Sequence, residues 1–247
     1  MTTYQDQNQM PVGEPVDNWQ PRPFPPHTTM QGKYCRMEPL NIALHSDDLF
    51  EAFAADPSGK GWTYLFSEPF TDRATFNQWL EITCTGQDPL FFVVIDENPG
   101  SKSMNKAVGM ASYLRITPDM GVIEVGHIHF SPLMQRTPVS TEAMFLMMQR
   151  VFDELGYRRY EWKCDSQNQQ SQKTAARLGF TFEGIFRQAI TYKGRNRDTA
   201  WLSVIDKEWP VLKQAFQQWL AADNFNTQGQ QLKTLQEMQT LAHEGNT

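Results

Sequence analysis

A change of hydrophobic period at Phe130 constrains this chain more than any other feature. Val122 to Phe130 reads as an apolar strand, and after a loop from Ser131 to Ser140 the residues Ala143, Leu146, Met147, Val151 and Leu155 recur at helical spacing up to Gly156. Tyr157 to Asp165 then alternates again, with Tyr160, Trp162 and Cys164 set against charged neighbours. Strand, loop, helix, strand is a crossover, and a crossover joins parallel neighbours in one sheet. Two further apolar strands, Leu90 to Asp96 and Ala107 to Ile116, precede it through short Gly-, Pro- and Asn-containing connections, which make an antiparallel meander. The expectation is an α+β fold: a mixed, mostly antiparallel sheet with one parallel crossover pair, flanked by helices.

The remaining elements follow the same reasoning. Tyr34 to Leu40 reads as a first strand, followed by helices from about Ser46 and over Thr71 to Thr85. A short helix spans Asn168 to Leu178 and stops at Gly179, and two strands meet at a polar turn around Gly194. Trp209 to Ala222 is amphipathic, and Leu232, Leu235, Met238 and Leu241 make a thinner apolar stripe. That stripe suits a helix docked on its own domain or a dimerisation helix. Six of the 15 prolines lie in the first 26 residues, which removes helix and central strand there. Residues 1–33 therefore read as a strap with Trp19 and Phe24 as apolar anchors, although Pro23 and Pro26 also form a PxxP spacing. The expected organisation is a strap (1–33), one domain (34–210) and a helical extension (211–247).

Charge and composition exclude several classes. Lys and Arg total 22 against 28 Asp and Glu, which argues against general binding to nucleic acid or an anionic membrane. The longest apolar runs, Leu90 to Ile95 and Ala143 to Met148, are far below the ~18 residues of a membrane span. A polar start at Met1 to Met10 lacks the pattern of a secretory signal, so a cytoplasmic protein is expected. Cys35, Cys84 and Cys164 are widely spaced and read as reduced thiols.

Three constellations could carry chemistry. His127 and His129, two apart on a strand, face one side, and Glu124 faces the other unless a bulge intervenes. A metal pair needs a third ligand, which is not apparent, so no metal is expected. The loop Gln135-Arg136-Thr137-Pro138-Val139-Ser140-Thr141 enters a helix, with Ser140 or Thr141 available as N-cap. A loop of this kind is either an ordinary capped turn or an anion site made by free N–H groups at the positive end of the helix dipole. Lys193 to Asp198 is a basic turn, read as a solvated hairpin tip or a contact for an acidic ligand.

The runs EVGHIHFSPLMQRTPVSTEA (Glu124 to Ala143) and NQQSQKTAARLGFTFEGIFRQ (Asn168 to Gln188) resemble the acyl-CoA-dependent N-acyltransferases of the GNAT superfamily, in particular its RimJ/RimL-like branch. The resemblance covers about Tyr34 to Pro210. It implies acetyl transfer from acetyl-CoA to a primary amine of a small molecule or a protein N-terminus. By position, it implies cofactor contacts from Gln135, Arg136, Thr137, Val139, Ser140 and Thr141, a hydrogen bond from Asn168 to the cofactor arm, and a backbone N–H near His129 or Phe130 that polarises the thioester. It implies Ser171 as the proton source for the leaving thiolate. Glu124 is the candidate base, with His127 or a water relay as alternatives.

The chain also departs from the branch. Arg136 and Pro138 stand where glycines are usual, Ala175 stands where many relatives have an acidic Tyr, and Ile190 stands where some have an acidic base. A non-catalytic CoA-binding or protein-interaction module on the same fold is the alternative expectation.

Overall fold

A computed structural model describes residues 4–244. Strands β1 (Tyr4–Gln5) and β2 (Pro11–Val12) form a small hairpin apart from the main sheet. The main body runs β3 (Met30–Gln31), β4 (Cys35–Pro39), α1 (Ile42–Ala54), α2 (Arg73–Thr83), β5 (Leu90–Asp96), β6 (Ala107–Thr117) and β7 (Val122–Phe130). It continues with α3 (Pro138–Gln149), extended by a π-helical turn at Arg150–Glu154, then β8 (Arg159–Asp165), α4 (Gln169–Arg177), β9 (Thr181–Tyr192), β10 (Arg195–Ile205), α5 (Trp209–Trp219) and α6 (Leu235–Glu244). The eight-stranded sheet has the order β3-β4-β5-β6-β7-β8-β10-β9, and only β7 and β8 pair in parallel. The mixed sheet with one parallel crossover pair is thus the architecture found.

Two cores sandwich the sheet. On one face Leu49, Phe53, Trp62, Phe76 and Leu80, from α1, α2 and the loop between them, pack on Phe91, Val93, Ile95 and Met110. On the other, α3, α4, α5 and α6 cover Tyr113, Val125, Tyr160, Trp162 and Leu202. The stripe on α6 buries Leu235, Met238 and Ala242 in this second core, while Leu232 and Leu241 stay exposed. The described helices contain no span long and apolar enough to cross a membrane.

Helix starts differ from the sequence expectation where a cap decides them. α1 begins four residues before Ser46 because the Asn41 side chain accepts the Leu44 N–H. Thr137, not Ser140 or Thr141, stands at the N-cap position of α3, without a side-chain capping bond; Pro138 at the first position has a fixed φ that suits the helix and lacks a donor where none is needed. Ser140 Oγ instead donates back to the Thr137 carbonyl at 3.0 Å.

The N-terminal segment is tied down at specific points. Trp19 Nε1 donates to the Asp119 carbonyl at 2.7 Å, and its indole covers Gly121, where a Cβ would lie 2.4 Å from the ring. Pro25 and Met30 are buried, whereas Phe24 stays 41% exposed and does not act as an anchor. Glu142, in the second turn of α3, accepts the backbone N–H groups of Lys33 (2.9 Å), Tyr34 (2.5 Å) and Cys35 (2.8 Å). Those bonds fix the start of β4 to α3.

A neutral amide at position 142 can accept but presents its NH2 to N–H donors. Glu142→Gln should therefore lose about 1.5 to 3 kcal/mol, the scale of one charged hydrogen bond, and lower Tm by roughly 5 °C in thermal unfolding. An unchanged Tm would show that this cradle does not hold the strap.

Candidate active site

The parallel pairing of β7 and β8 runs from Val122 opposite Arg159 to Val125 opposite Trp162 and then stops, although both strands continue. Beyond that point β7 carries a bulge. Gly126 lies opposite Ser112 and His129 opposite Met110, so three steps on β7 match two on β6, and His127 takes φ +47°. The bulge changes the parity of the strand: Glu124, His127 and His129 share the face covered by α1 and α2. The opposite placement of Glu124 holds only for an unbulged strand.

On this face Glu124 is held through one oxygen. Its Oε2 meets Arg115 Nη1 at 2.6 Å and Lys163 Nζ at 2.7 Å, and the side chain is 4% exposed. Its Oε1 has no hydrogen-bond partner among the described residues and lies beside Gly126. Lys163 also binds Glu161 Oε2 at 2.7 Å and lies over the Trp201 ring at 3.8 Å. His127 Nδ1 meets Ser112 Oγ at 2.9 Å, and His129 is wedged between Phe53 and Trp62 at ring separations of 4.0 and 4.1 Å. Burial lowers both imidazoles to about 4; the Arg115 charge adds to the effect on His127, and Asp56 opposes it on His129. The two histidines thus serve different neighbours.

The other side of the gap is formed by two helix N-termini. α3 and α4 each follow the C-terminal end of a strand of the parallel pair, and Arg177 Nη1 on α4 donates to Thr141 Oγ1 on α3 at 3.1 Å. At the start of α3 the N–H groups of Val139 and Ser140 have no acceptor one turn back. Arg136 holds φ +60° in the preceding loop, the backbone region glycine favours, and its side chain is exposed. Thr137 Oγ1 donates to the Met134 carbonyl, and Gln135 Nε2 closes the loop on the Phe130 carbonyl at 2.7 Å. Free N–H groups, a positive helix end and the cations Arg136 and Arg177 are a donor set suited to a pyrophosphate.

Asn168 caps α4 by accepting the Ser171 N–H through Oδ1 at 3.1 Å. Ser171 Oγ accepts from Trp162 Nε1 at 2.9 Å and its hydroxyl also lies against the Cys164 thiol. Sequence reasoning missed Arg115, Lys163, Trp162 and Arg177 as supporting residues. The charged alternation along β8 signals Lys163, but nothing in the linear chain joins Arg177 to Thr141. The basic turn is solvated at Gly194, Arg195 and Asn196, whereas Lys193 Nζ binds the Trp62 carbonyl at 2.9 Å and Glu68 at 3.3 Å.

Comparison with known proteins agrees with this geometry. Residues 36–181 match the acetyltransferase (GNAT) domain family. The chain is 52% identical to a GCN5-related N-acetyltransferase from Brucella melitensis, with a TM-score of 0.87 over 91% of this chain and all of that one. It is 38% identical to a GNAT-family protein from Chromobacterium violaceum, with a TM-score of 0.73 over 81% of this chain and 98% of that one. The fold is also that of a RimL ribosomal L7/L12 α-N-protein acetyltransferase in complex with coenzyme A, at 16% identity, a TM-score of 0.57, and coverage of 72% and 98%. No curated protein matches the chain.

The buried histidines set an acid limit. Both are lowered in the folded protein from about 6.5 to about 4, so between these values the unfolded chain binds more protons and stability falls as pH falls. Chemical denaturation at pH 7, 6 and 5 should show a loss approaching ~1.4 kcal/mol per pH unit per imidazole below 6.5. His129→Gln should flatten that slope, and a slope unchanged in the variant would refute the assignment to His129. At Arg136, glycine should relieve left-handed strain of ~1 kcal/mol while removing a charge beside the N-terminus of α3. Arg136→Gly should then raise Tm slightly, weaken CoA binding by roughly 10-fold and reduce its salt dependence, as read by calorimetry.

Proposed function

Because the chain belongs to the GNAT acetyltransferase family, we propose that it moves an acetyl group from acetyl-CoA to a primary amine of a small molecule or a protein N-terminus. The observation that carries this reading is the gap between β7 and β8, where free strand edges, two helix N-termini and a half-anchored carboxylate converge. The loop of Gln135 to Thr141 and Arg177 hold the phosphates of the acyl donor, and Asn168 Nδ2 holds its arm. A backbone N–H of His129 or Phe130 polarises the thioester carbonyl.

Glu124 Oε1, fixed in orientation by the two cations on Oε2, receives through a water the proton given up by the amine. The amine nitrogen bonds to the carbonyl carbon, the carbon–sulfur bond breaks, and the Ser171 hydroxyl relays a proton from solvent water to the departing thiolate, taking up the water's proton as it gives its own. The Trp162 indole keeps that hydroxyl turned the right way. Both protein groups act where they already lie, so the chain contributes chiefly position and electrostatics.

Thermal unfolding with and without acetyl-CoA tests the donor half: at ~100 times Kd the protein should gain ~2.7 kcal/mol, and no shift at millimolar acetyl-CoA would refute the reading. With an acceptor found by CoA release across amines, amino acids and peptides, Glu124→Gln should lower kcat by 10²-fold or more, the scale of general-base catalysis. Full turnover over pH 6 to 9 in this variant would transfer the role to His127 or to water.

A further inference from the structure

Arg197 on β10 is only 7% exposed, yet among the described residues no carboxylate stands within ion-pairing distance of it. Its Nε donates to Thr199 Oγ1 at 3.2 Å, and its guanidinium carbon lies 6.0 Å from the Phe66 ring centroid and 5.8 Å from that of Tyr192. Two other arginines show ordinary partnering. Arg150, 3% exposed, donates to Glu154, to both Thr28 oxygens and to the Thr29 carbonyl, while Arg159 binds Glu161 and Glu183. Asp165, adjacent to Arg197 in the sheet as the partner of Thr199, is committed elsewhere: Oδ1 accepts the Gln167 N–H and Oδ2 the Tyr192 hydroxyl, both at 2.8 Å.

A desolvated guanidinium without a counter-ion is unfavourable, and its planar fork matches a carboxylate better than any other common group. The two rings lie beside the guanidinium and favour the cation, and with Arg197 only 7% exposed an anion reaching its terminal nitrogens would meet little competition from solvent. Position gives the ligand its role. Arg197, Thr199 and Trp201 alternate along β10 on the face where Trp201 lies opposite Lys163, hence on the side of Glu124 and away from the α3 loop. In strand steps Arg197 lies on the order of 10 Å beyond the β7 bulge.

We propose that Arg197, framed by Phe66 and Tyr192, binds a carboxylate of the acceptor, so that the substrate is an amine that also carries a carboxylate several bonds from its nitrogen. This rests on the acetyl-transfer reading above and specifies its substrate class. Free amino acids and acidic peptides share this chemistry, and the assay separates them.

The test uses the full-length protein with acetyl-CoA and follows CoA release. The acceptors are amino acids whose amine and carboxylate lie several bonds apart, such as 6-aminohexanoate, and their carboxamides, and C-terminally amidated tripeptides with acidic or neutral side chains. At least 10-fold higher kcat/KM for acids than for the matching amides is expected, with the amino-acid and tripeptide arms showing which source is used. Arg197→Gln should raise KM for the acidic acceptor at least 10-fold and leave acetyl-CoA stabilisation unchanged, and Arg197→Lys should recover part of the loss. Equal kcat/KM for acid and amide, or an unchanged KM in Arg197→Gln, overturns the proposal while leaving acetyl transfer intact. Should Arg197→Gln fail to fold, glutarate and glutaramide tested on the unaltered protein decide: glutarate alone should inhibit competitively against the acceptor, and equal inhibition by both refutes the site. Absence of any acetyl-CoA shift would instead strike the acetyl-transfer reading, and calorimetric titration of glutarate would still report on Arg197.

Discussion

Everything in the candidate site depends on β7 and β8 losing register after Val125. Parallel strands normally exhaust each other's N–H and C=O groups, and a sheet that stayed paired here would be a closed wall. The bulge at His127 shortens β7 relative to β6 and turns its last residues, while β8 stays paired to β10 through Asp165. The two strands therefore follow different neighbours and separate. Backbone groups that would have paired across the sheet are left for a ligand, at the point where two helices start and add their own unpaired N–H groups.

The same divergence explains why the buried charges lie where they do. Arg115, Glu124, Lys163, Glu161, Arg159 and Glu183 form a chain of contacts across β6, β7, β8 and β9. Each buried carboxylate in the chain is shared between cations, which limits the cost of removing it from water. Glu124 is the exception in geometry, since both its contacts fall on Oε2. Arg197 is the exception in charge, since it closes no ion pair. Both groups lie on the sheet face covered by α1 and α2.

Much of the fold is legible in the sequence because period and punctuation carry it. The switch from period two to helical spacing after Phe130, the stop at Gly156 and the charged alternation along Tyr160 to Asp165 suffice to place the parallel pair. The bulge is not legible, because a non-glycine residue at positive φ, His127, carries no local signal, and the side on which Glu124 lies follows from it. Asn168 and Ser171 are visible as a helix start, while the Trp162 contact that orients Ser171 comes only from tertiary packing. Arg197 falls within a visibly basic turn, but its place beside Phe66, far away along the chain, comes only from tertiary packing.

Arg136 shows how such a site can tolerate a change in its loop. The backbone there needs a left-handed residue, and glycine is the least strained choice. An arginine at φ +60° accepts strain of ~1 kcal/mol but brings a cation to a loop whose next donor is missing at Pro138. Pro138 itself removes nothing from the helix, since the first position has no intrahelical acceptor, and its fixed φ reduces the entropy lost on ordering the turn. On the proposed reading of this loop, the pair exchanges short-range N–H donation for a longer-range, salt-sensitive attraction while leaving the path of the chain into α3 intact.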